Sequence, residues 1–203
     1  MNSVNLSPGI LLVVTGPTAS GKDTVVGKIM MQFPTFKKLV TTTTRPPRDG
    51  EKEGINHFFL ERSAFEEKAK NGEFLETNEY SNNLYGTTKN EINKVLEGED
   101  LIWRIDPSAA AEVKEIIKSG FPTDLASKLL KRTIVVYLKP ENEEVLVSRL
   151  QKRDFTTEEI DKRLTEERRL WNMYRDRFRN VIVNHEGELS TTISEVAKLI
   201  TSI

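Results

Sequence analysis

The sequence predicts an α/β fold, a parallel sheet covered by helices on both faces, and three observations carry that prediction. Apolar runs of strand length alternate with helical patterns along most of the 203 residues. The first run, Ile10-Leu11-Leu12-Val13-Val14, is apolar throughout, as a strand buried on both faces must be. It leads into Gly16-Pro17-Thr18-Ala19-Ser20-Gly21-Lys22-Asp23-Thr24, a Gly-rich turn that opens an apolar helical pattern. In such sheets ligands bind beyond the carboxyl ends of the strands, where this loop would lie.

Residues 10–15 read as the first strand, and residues 24–33 as a helix stopped by Pro34. Leu101-Ile102-Trp103 reads as a strand, and residues 108–118 as a helix with Pro107 near its start. Ile134-Val135-Val136-Tyr137-Leu138 is the clearest strand, followed by helical patterns over 145–152 and 160–178. Val181-Ile182-Val183 is the last strand and residues 193–200 the last helix. Residues 41–60 and 73–87 break the rhythm and read together as a small β-rich insertion. Residues 119–131 read as a connection without a defined shape, and the polar stretch 153–159 separates two helices.

Composition narrows the class. A net charge of −1 gives no bulk attraction to nucleic acid or to a membrane. With no cysteine, disulfides, thiol catalysis and thiolate metal sites are excluded. The apolar run near the N-terminus is too short for a signal segment or a membrane span. The expectation is one soluble cytoplasmic domain, monomeric or a small homo-oligomer, acting on small molecules.

The loop at residues 16–24 carries the chemistry. Its glycines let backbone N–H groups curl around phosphate oxygens with no Cβ in the way. Lys22 falls in the first turn of a helix, where the macrodipole disfavours a cation, so a bound anion suits it. The P-loop pattern asks for Ser or Thr after the lysine, and Asp23 stands there instead. In Thr41-Thr42-Thr43-Thr44-Arg45-Pro46-Pro47-Arg48, two arginines three apart in a proline-stiffened stretch can present guanidinium forks to one phosphate. The bland alternative is a solvated turn. Glu73-Phe74-Leu75-Glu76 and Leu84-Tyr85-Gly86-Thr87-Thr88 follow.

Gly16 to Thr24, Thr43-Thr44-Arg45-Pro46-Pro47-Arg48, Glu73-Phe74-Leu75-Glu76, Tyr85-Gly86-Thr87, Ile105-Asp106, Arg149-Leu150 with Arg153, Arg163-Leu164 and Val181-Ile182-Val183-Asn184 occur in order. Together they resemble guanylate kinase over about residues 10–200. The resemblance implies a P-loop NTPase core of three α/β/α layers, at about 8–40, 99–150 and 160–203. It implies a GMP-binding insertion at about 41–98 and a lid at about 150–160. It implies ATP and GMP as substrates and Mg²⁺ as cofactor. Residues Gly16, Pro17, Thr18, Ala19, Ser20, Gly21, Lys22, Asp23 and Thr24 would hold ATP. Thr41, Arg45, Arg48, Tyr85 and the off-pattern His57 would bind the GMP phosphate, and Glu76, Thr87 and Asp106 would read guanine. Lys22, Arg45, Arg153 and Arg163 are the expected catalytic cations.

The base reading can be argued directly. Guanine presents N1–H and N2–H₂ donors side by side, and one carboxylate accepts both. Adenine turns an acceptor at N1 towards the same carboxylate and is repelled. Sites of this kind reject the wrong partner by about 10⁴-fold. A hydroxyl such as Thr87 can donate to guanine O6. Arg149 and Arg153 stand i,i+4 on a helix, a spacing that also describes a solvated face.

Several positions depart from the family. Asp23 reads either as a Mg²⁺ ligand, direct or through water, or as a helix cap with Thr24 taking part of the metal contact. His57 replaces a phosphate-binding tyrosine, and its charge would titrate near neutrality. Arg104 replaces the first acid of an Asp-x-Asp pair, and could reach a substrate phosphate or pair with Asp106. Pro107-Ser108-Ala109 replaces a Gln-Gly, and Arg153-Asp154 replaces an Arg-Gly, which implies a stiffer lid hinge. Asp23 and Asn56-His57 also resemble ribose 1,5-bisphosphate phosphokinase, a kinase of the same fold. Guanylate-kinase-like modules that bind proteins without catalysis form the third alternative. Those lose the P-loop lysine or glycines, and Lys22, Gly16 and Gly21 are present.

Overall fold

The computed structural model describes residues 8–80, 82–153 and 155–203. In chain order its elements are β1 (Leu11–Thr15), α1 (Lys22–Gln32), β2 (Lys37–Lys38), β3 (Thr41–Thr43), β4 (His57–Phe59), α2 (Arg62–Lys70), β5 (Phe74–Tyr80) and β6 (Asn83–Thr88). There follow α3 (Lys89–Leu96), β7 (Leu101–Arg104), α4 (Pro107–Ala111), α5 (Val113–Gly120), α6 (Thr123–Lys131) and β8 (Thr133–Pro140). The chain ends with α7 (Glu143–Gln151), α8 (Thr157–Tyr174), β9 (Asn180–Asn184) and α9 (Leu189–Thr201).

The larger sheet has the order β2-β7-β1-β8-β9, and its pairings are parallel. β1 is therefore central, which explains its uninterrupted apolar run: all five residues are buried. Alternate side chains serve opposite faces. Leu11, Val13, Leu101, Trp103 and Tyr137 pack with Ile92, Val95, Ile117 and Leu129 from the helices on one side. Leu12, Val14, Ile102, Val136 and Leu138 pack with Val25 and Ile29 of α1 and Val196 and Ile200 of α9 on the other. A third cluster joins Ala19 of the Gly-rich loop to Leu146 and Leu150 of α7 and Ile160 and Leu164 of α8. That cluster ties the loop to the two helices that follow β8.

The second sheet is mixed, with the order β4-β3-β6-β5. β3 pairs with β4 in parallel and with β6 antiparallel, and β5 and β6 form a hairpin. Phe65 of α2 stacks on Phe74 of β5, ring centroids 4.3 Å apart, and anchors the back of this sheet.

The α/β prediction holds, with two local corrections. The helix expected over 108–118 is two helices, broken at Glu112 between α4 and α5. The stretch 119–131, expected to be shapeless, contains α6. Ser119-Gly120-Phe121-Pro122 hides its start, yet Ala126 and Leu129 lie three apart on one buried face. The hinge residue Asp154 lies outside the described residues. No helix among the described residues is long and apolar enough to cross a membrane.

Candidate functional site

The Gly-rich loop leaves the carboxyl end of β1 in a shape that needs its small residues. Gly16 has φ 139°, and a Cβ there would lie 2.2 Å from the Leu138 carbonyl oxygen of β8. Gly21 has φ 95° and caps α1, and a Cβ there would meet Asn184 Nδ2 at 2.4 Å. Asn184 closes the loop from behind: its Nδ2 donates to the Ser20 carbonyl at 2.8 Å, and its Oδ1 accepts from Thr192 Oγ1 at 3.1 Å. Both residues are buried, so the pair fixes the loop from β9 and α9. The sequence offers Asn184 only as a family landmark and gives no sign of Thr192, because α9 comes 170 residues after the loop in the chain, a separation on the order of ten times the range of a local motif.

Lys22 folds over the loop it follows. Its Nζ donates to the Gly16 and Pro17 carbonyls, at 2.6 Å and 2.5 Å. Burial lowers its pKa to about 8; Glu167 opposes the shift, while Arg104 and Arg153 add to it. Pro17, Ala19 and Ser20 are buried within the loop, Thr18 is half-buried, and Thr24 is exposed. Asp23 forms an ion pair with Arg104 at the end of β7. Of the two partners open to Arg104 in the sequence, Asp106 is therefore not the one it takes. The two off-pattern residues compensate each other.

On the second sheet, Thr41 and His57 are register partners, and Thr41 Oγ1 lies 2.8 Å from His57 Nδ1. Burial, with Arg45 close by, pushes the His57 pKa below its usual value. The imidazole is thus biased towards neutrality, away from the cationic role open to it in the sequence. Arg45 forms a two-pronged ion pair with Glu51, both N–O distances 2.9 Å, and Tyr85 also bonds it. Arg48 is exposed, and its backbone N–H donates to the same carboxylate at 2.8 Å. Glu51 has a pKa lowered to about 2, first by Arg45 and then by that backbone bond. Sequence reasoning missed Glu51, which organises the arginine pair. A cavity of about 170 Å³ opens between Asp23 and Arg104 on one side and Thr41, Glu51 and His57 on the other. Asp23 at the start of α1 and Thr41 and His57 of the second sheet therefore border one cavity.

Glu76 and Thr87 are paired across β5 and β6. The Thr87 hydroxyl donates to Glu76 Oε1 at 2.7 Å and accepts from Trp103 Nε1 at 3.0 Å. Thr87 is buried, and with no base bound its hydroxyl proton rests on Glu76. Its part is to hold the carboxylate. Burial raises the Glu76 pKa to about 7, Thr87 opposes the shift, and Asp106 adds to it. Asp106 caps α4 through Oδ1, which accepts from the Ser108 and Ala109 N–H groups. Asp106 Oδ2 accepts from Asn78 Nδ2 at 3.2 Å. Asn78 stands two residues after Glu76 on β5, hence on the same face, and has no signal in the sequence beyond that spacing.

The remaining arginines come from α7 and α8. Arg149 Nη1 donates to the Ala19 carbonyl at 3.2 Å, so the spacing that suggested a solvated face hides a contact with the loop. Arg153 is exposed just beyond α7 and near enough to Lys22 to lower its pKa. Arg163 lies over the Phe155 ring at 4.3 Å and reaches the Tyr80 hydroxyl of β5 at 3.4 Å. α8 also brings Glu167 to the loop, where Oε1 accepts the Thr18 N–H at 3.2 Å.

The guanylate kinase family model matches residues 9–203. A guanylate kinase of Clostridioides difficile (strain 630) is 36% identical over 159 residues, 77% of this chain and 71% of that protein. One from Nostoc sp. (strain PCC 7120 / SAG 25.82 / UTEX 2576) is 32% identical over 190 residues, 93% of this chain and 89% of that protein. The crystal structure of guanylate kinase from Anaplasma phagocytophilum matches with a TM-score of 0.69 at 24% identity, covering 98% of this chain and 88% of that one. Shikimate kinase from Acinetobacter baumannii, at a TM-score of 0.50 and 15% identity, shares the fold over 97% of this chain and 95% of its own.

Proposed function

The chain belongs to the guanylate kinase family, and we propose on that premise a division of labour between its two sheets. It phosphorylates GMP with ATP, giving GDP and ADP. The loop at residues 16–24 holds the donor phosphates through its N–H groups and Lys22, which stays mostly protonated at neutral pH with a pKa of about 8. The insertion at about 41–98 holds the acceptor, with Arg45, Arg48, Tyr85, Thr41 and His57 around its phosphate and Glu76 on the base. Thr87, which holds Glu76, and Asp106 read the base with it. dGMP fits the same pocket, because the specificity rests on guanine.

Phosphoryl transfer asks a protein for alignment and charge neutralisation more than for covalent chemistry. Arg149 supports the P-loop, and Arg153 and Arg163 flank the donor phosphates from the lid at about 150–160. Closing that lid excludes water and limits idle hydrolysis. The Asp23 carboxylate in the first turn of α1, exposed although paired with Arg104, would fit Mg²⁺ as one ligand with an oxygen that Arg104 leaves open. Among the described residues no cluster of three acidic or histidine side chains adds to it, so nucleotide phosphates and water would complete the shell. When bound, the ion neutralises charge on the donor phosphates. Soluble nucleotide substrates place this activity in the cytoplasm.

The observation that carries this reading is the Glu76 carboxylate, buried and held by Thr87 beside Asp106 in a chain that also carries a P-loop. Glu76→Gln tests it. Loss of one charged hydrogen bond costs about 1.5–3 kcal/mol, so kcat/KM for GMP falls by about 10- to 100-fold while KM for ATP stays within about twofold. Unchanged selectivity for GMP over AMP removes Glu76 from the acceptor pocket.

A further inference from the structure

α8 carries a carboxylate to the phosphate loop that the reaction as described does not use. Glu167 Oε1 accepts the Thr18 N–H, and Glu167 Oε2 is buried with no hydrogen-bond partner. Holding the loop needs only an acceptor for that N–H, and a neutral amide would provide one. An unpaired buried carboxylate oxygen is costly, so a carboxylate here is not explained by the loop contact alone. The charged and titratable groups around it are Lys22 of α1, Arg163 and Glu166 of α8, and Tyr137 of β8. Lys22 spends its hydrogen bonds on the Gly16 and Pro17 carbonyls and leaves Glu167 without a direct ion pair. Burial raises the Glu167 pKa while the Thr18 N–H and Lys22 oppose that shift, so these two groups favour the ionised carboxylate, which then lies beside groups suited to triphosphate.

We propose that Glu167 is a donor-specificity residue that makes the phosphate loop select the cation-complexed triphosphate over the bare one. A bare triphosphate meets the carboxylate as like charge. A divalent cation on the phosphates cancels much of that repulsion, so the complexed donor is spared. The proposal rests on the reading of residues 16–24 as the ATP site.

Calorimetric titration of the full chain with ATP, once in EDTA and once with excess Mg²⁺, tests it. Glu167→Gln keeps an acceptor for the Thr18 N–H and removes the charge. This variant binds ATP in EDTA about tenfold tighter than the parent, as expected for one unit charge removed at short range. Its affinity for Mg-ATP changes by less than about threefold, because the charge it loses was already offset there. Glu167→Met, which removes charge and acceptor together, shifts the ratio of the two affinities in the same direction. An unchanged ratio in both variants overturns the proposal and leaves the ATP site standing. A parent protein that binds ATP in neither condition overturns the donor-site reading and the proposal with it.

Discussion

Glu76 sets the pH behaviour of the acceptor side. Its carboxylate must be ionised to accept both guanine donors, and burial raises its pKa to about 7. A carboxyl whose folded pKa lies above its unfolded value favours the fold when protonated. Its contribution to stability is therefore complete below the ordinary carboxyl value of 4.5 and lost as pH rises through about 7. Guanine binding runs the opposite way and is lost as pH falls below about 7. The second ionisation of a phosphate monoester, near pH ~6, titrates in the parent and in Glu76→Gln alike. The ratio of GMP affinities, parent over Glu76→Gln, therefore isolates Glu76. Titrations from about pH 5.5 to 8.5 should show that ratio climbing up to about tenfold per pH unit and levelling off above pH ~7. A flat ratio refutes the assignment. Of the residues around this group, Glu76 and Asp106 were legible only through the resemblance to guanylate kinase, since a lone strand carboxylate has no local mark of a base reader. Thr87 was legible the same way, but its contacts with Glu76 and Trp103 were not. Which partner takes a hydroxyl proton depends on Trp103, 16 residues away in sequence.

At the scale of elements, α7 and α8 matter through what they press onto the phosphate loop. Arg149 reaches the Ala19 carbonyl from α7, and Leu146, Leu150, Ile160 and Leu164 pack the two helices around Ala19. Arg149→Lys loses the planar fork that spans this gap. It should raise KM for ATP by about threefold to tenfold, matching a hydrogen bond of ~1 kcal/mol. KM for GMP should hold within about twofold in the same steady-state assay. An equal rise in both constants would place Arg149 outside the donor site. The strands were readable because a sheet buried on both faces leaves uniform apolar runs, as β1 and β8 do. α6 was not, because Gly120 and Pro122 sit at its entrance and look like loop chemistry. The break between α4 and α5 at Glu112 leaves no mark on the apolar spacing either. The contact of Asn184 with the loop, and of Thr192 with Asn184, are equally silent, since side chains that meet across β9, α9 and the loop have no local pattern.

For the whole molecule, the arrangement is two sheets facing one space. The parallel sheet carries the P-loop at the end of its central strand, and the mixed sheet carries His57, Glu76 and Tyr85, with Arg45 in the loop just after β3. Asp23 and Arg104 border the cavity from the first, Thr41 and His57 from the second. Tyr80 and Arg163 join the mixed sheet to α8. This layout was legible from the order of motifs. Where the off-pattern residues would turn was not: Asp23 and Arg104 satisfy each other, and His57 leans on Thr41. Those pairings leave the base pocket intact, and a guanine-reading acceptor site is the central claim. The most direct measurement is a coupled assay of ADP release with ATP and Mg²⁺ against GMP, dGMP, AMP, CMP, UMP and ribose 1,5-bisphosphate. The account predicts GMP and dGMP above every other acceptor by about 10³-fold or more in kcat/KM. Equal rates across the bases, or ribose 1,5-bisphosphate as the preferred acceptor, would contradict it.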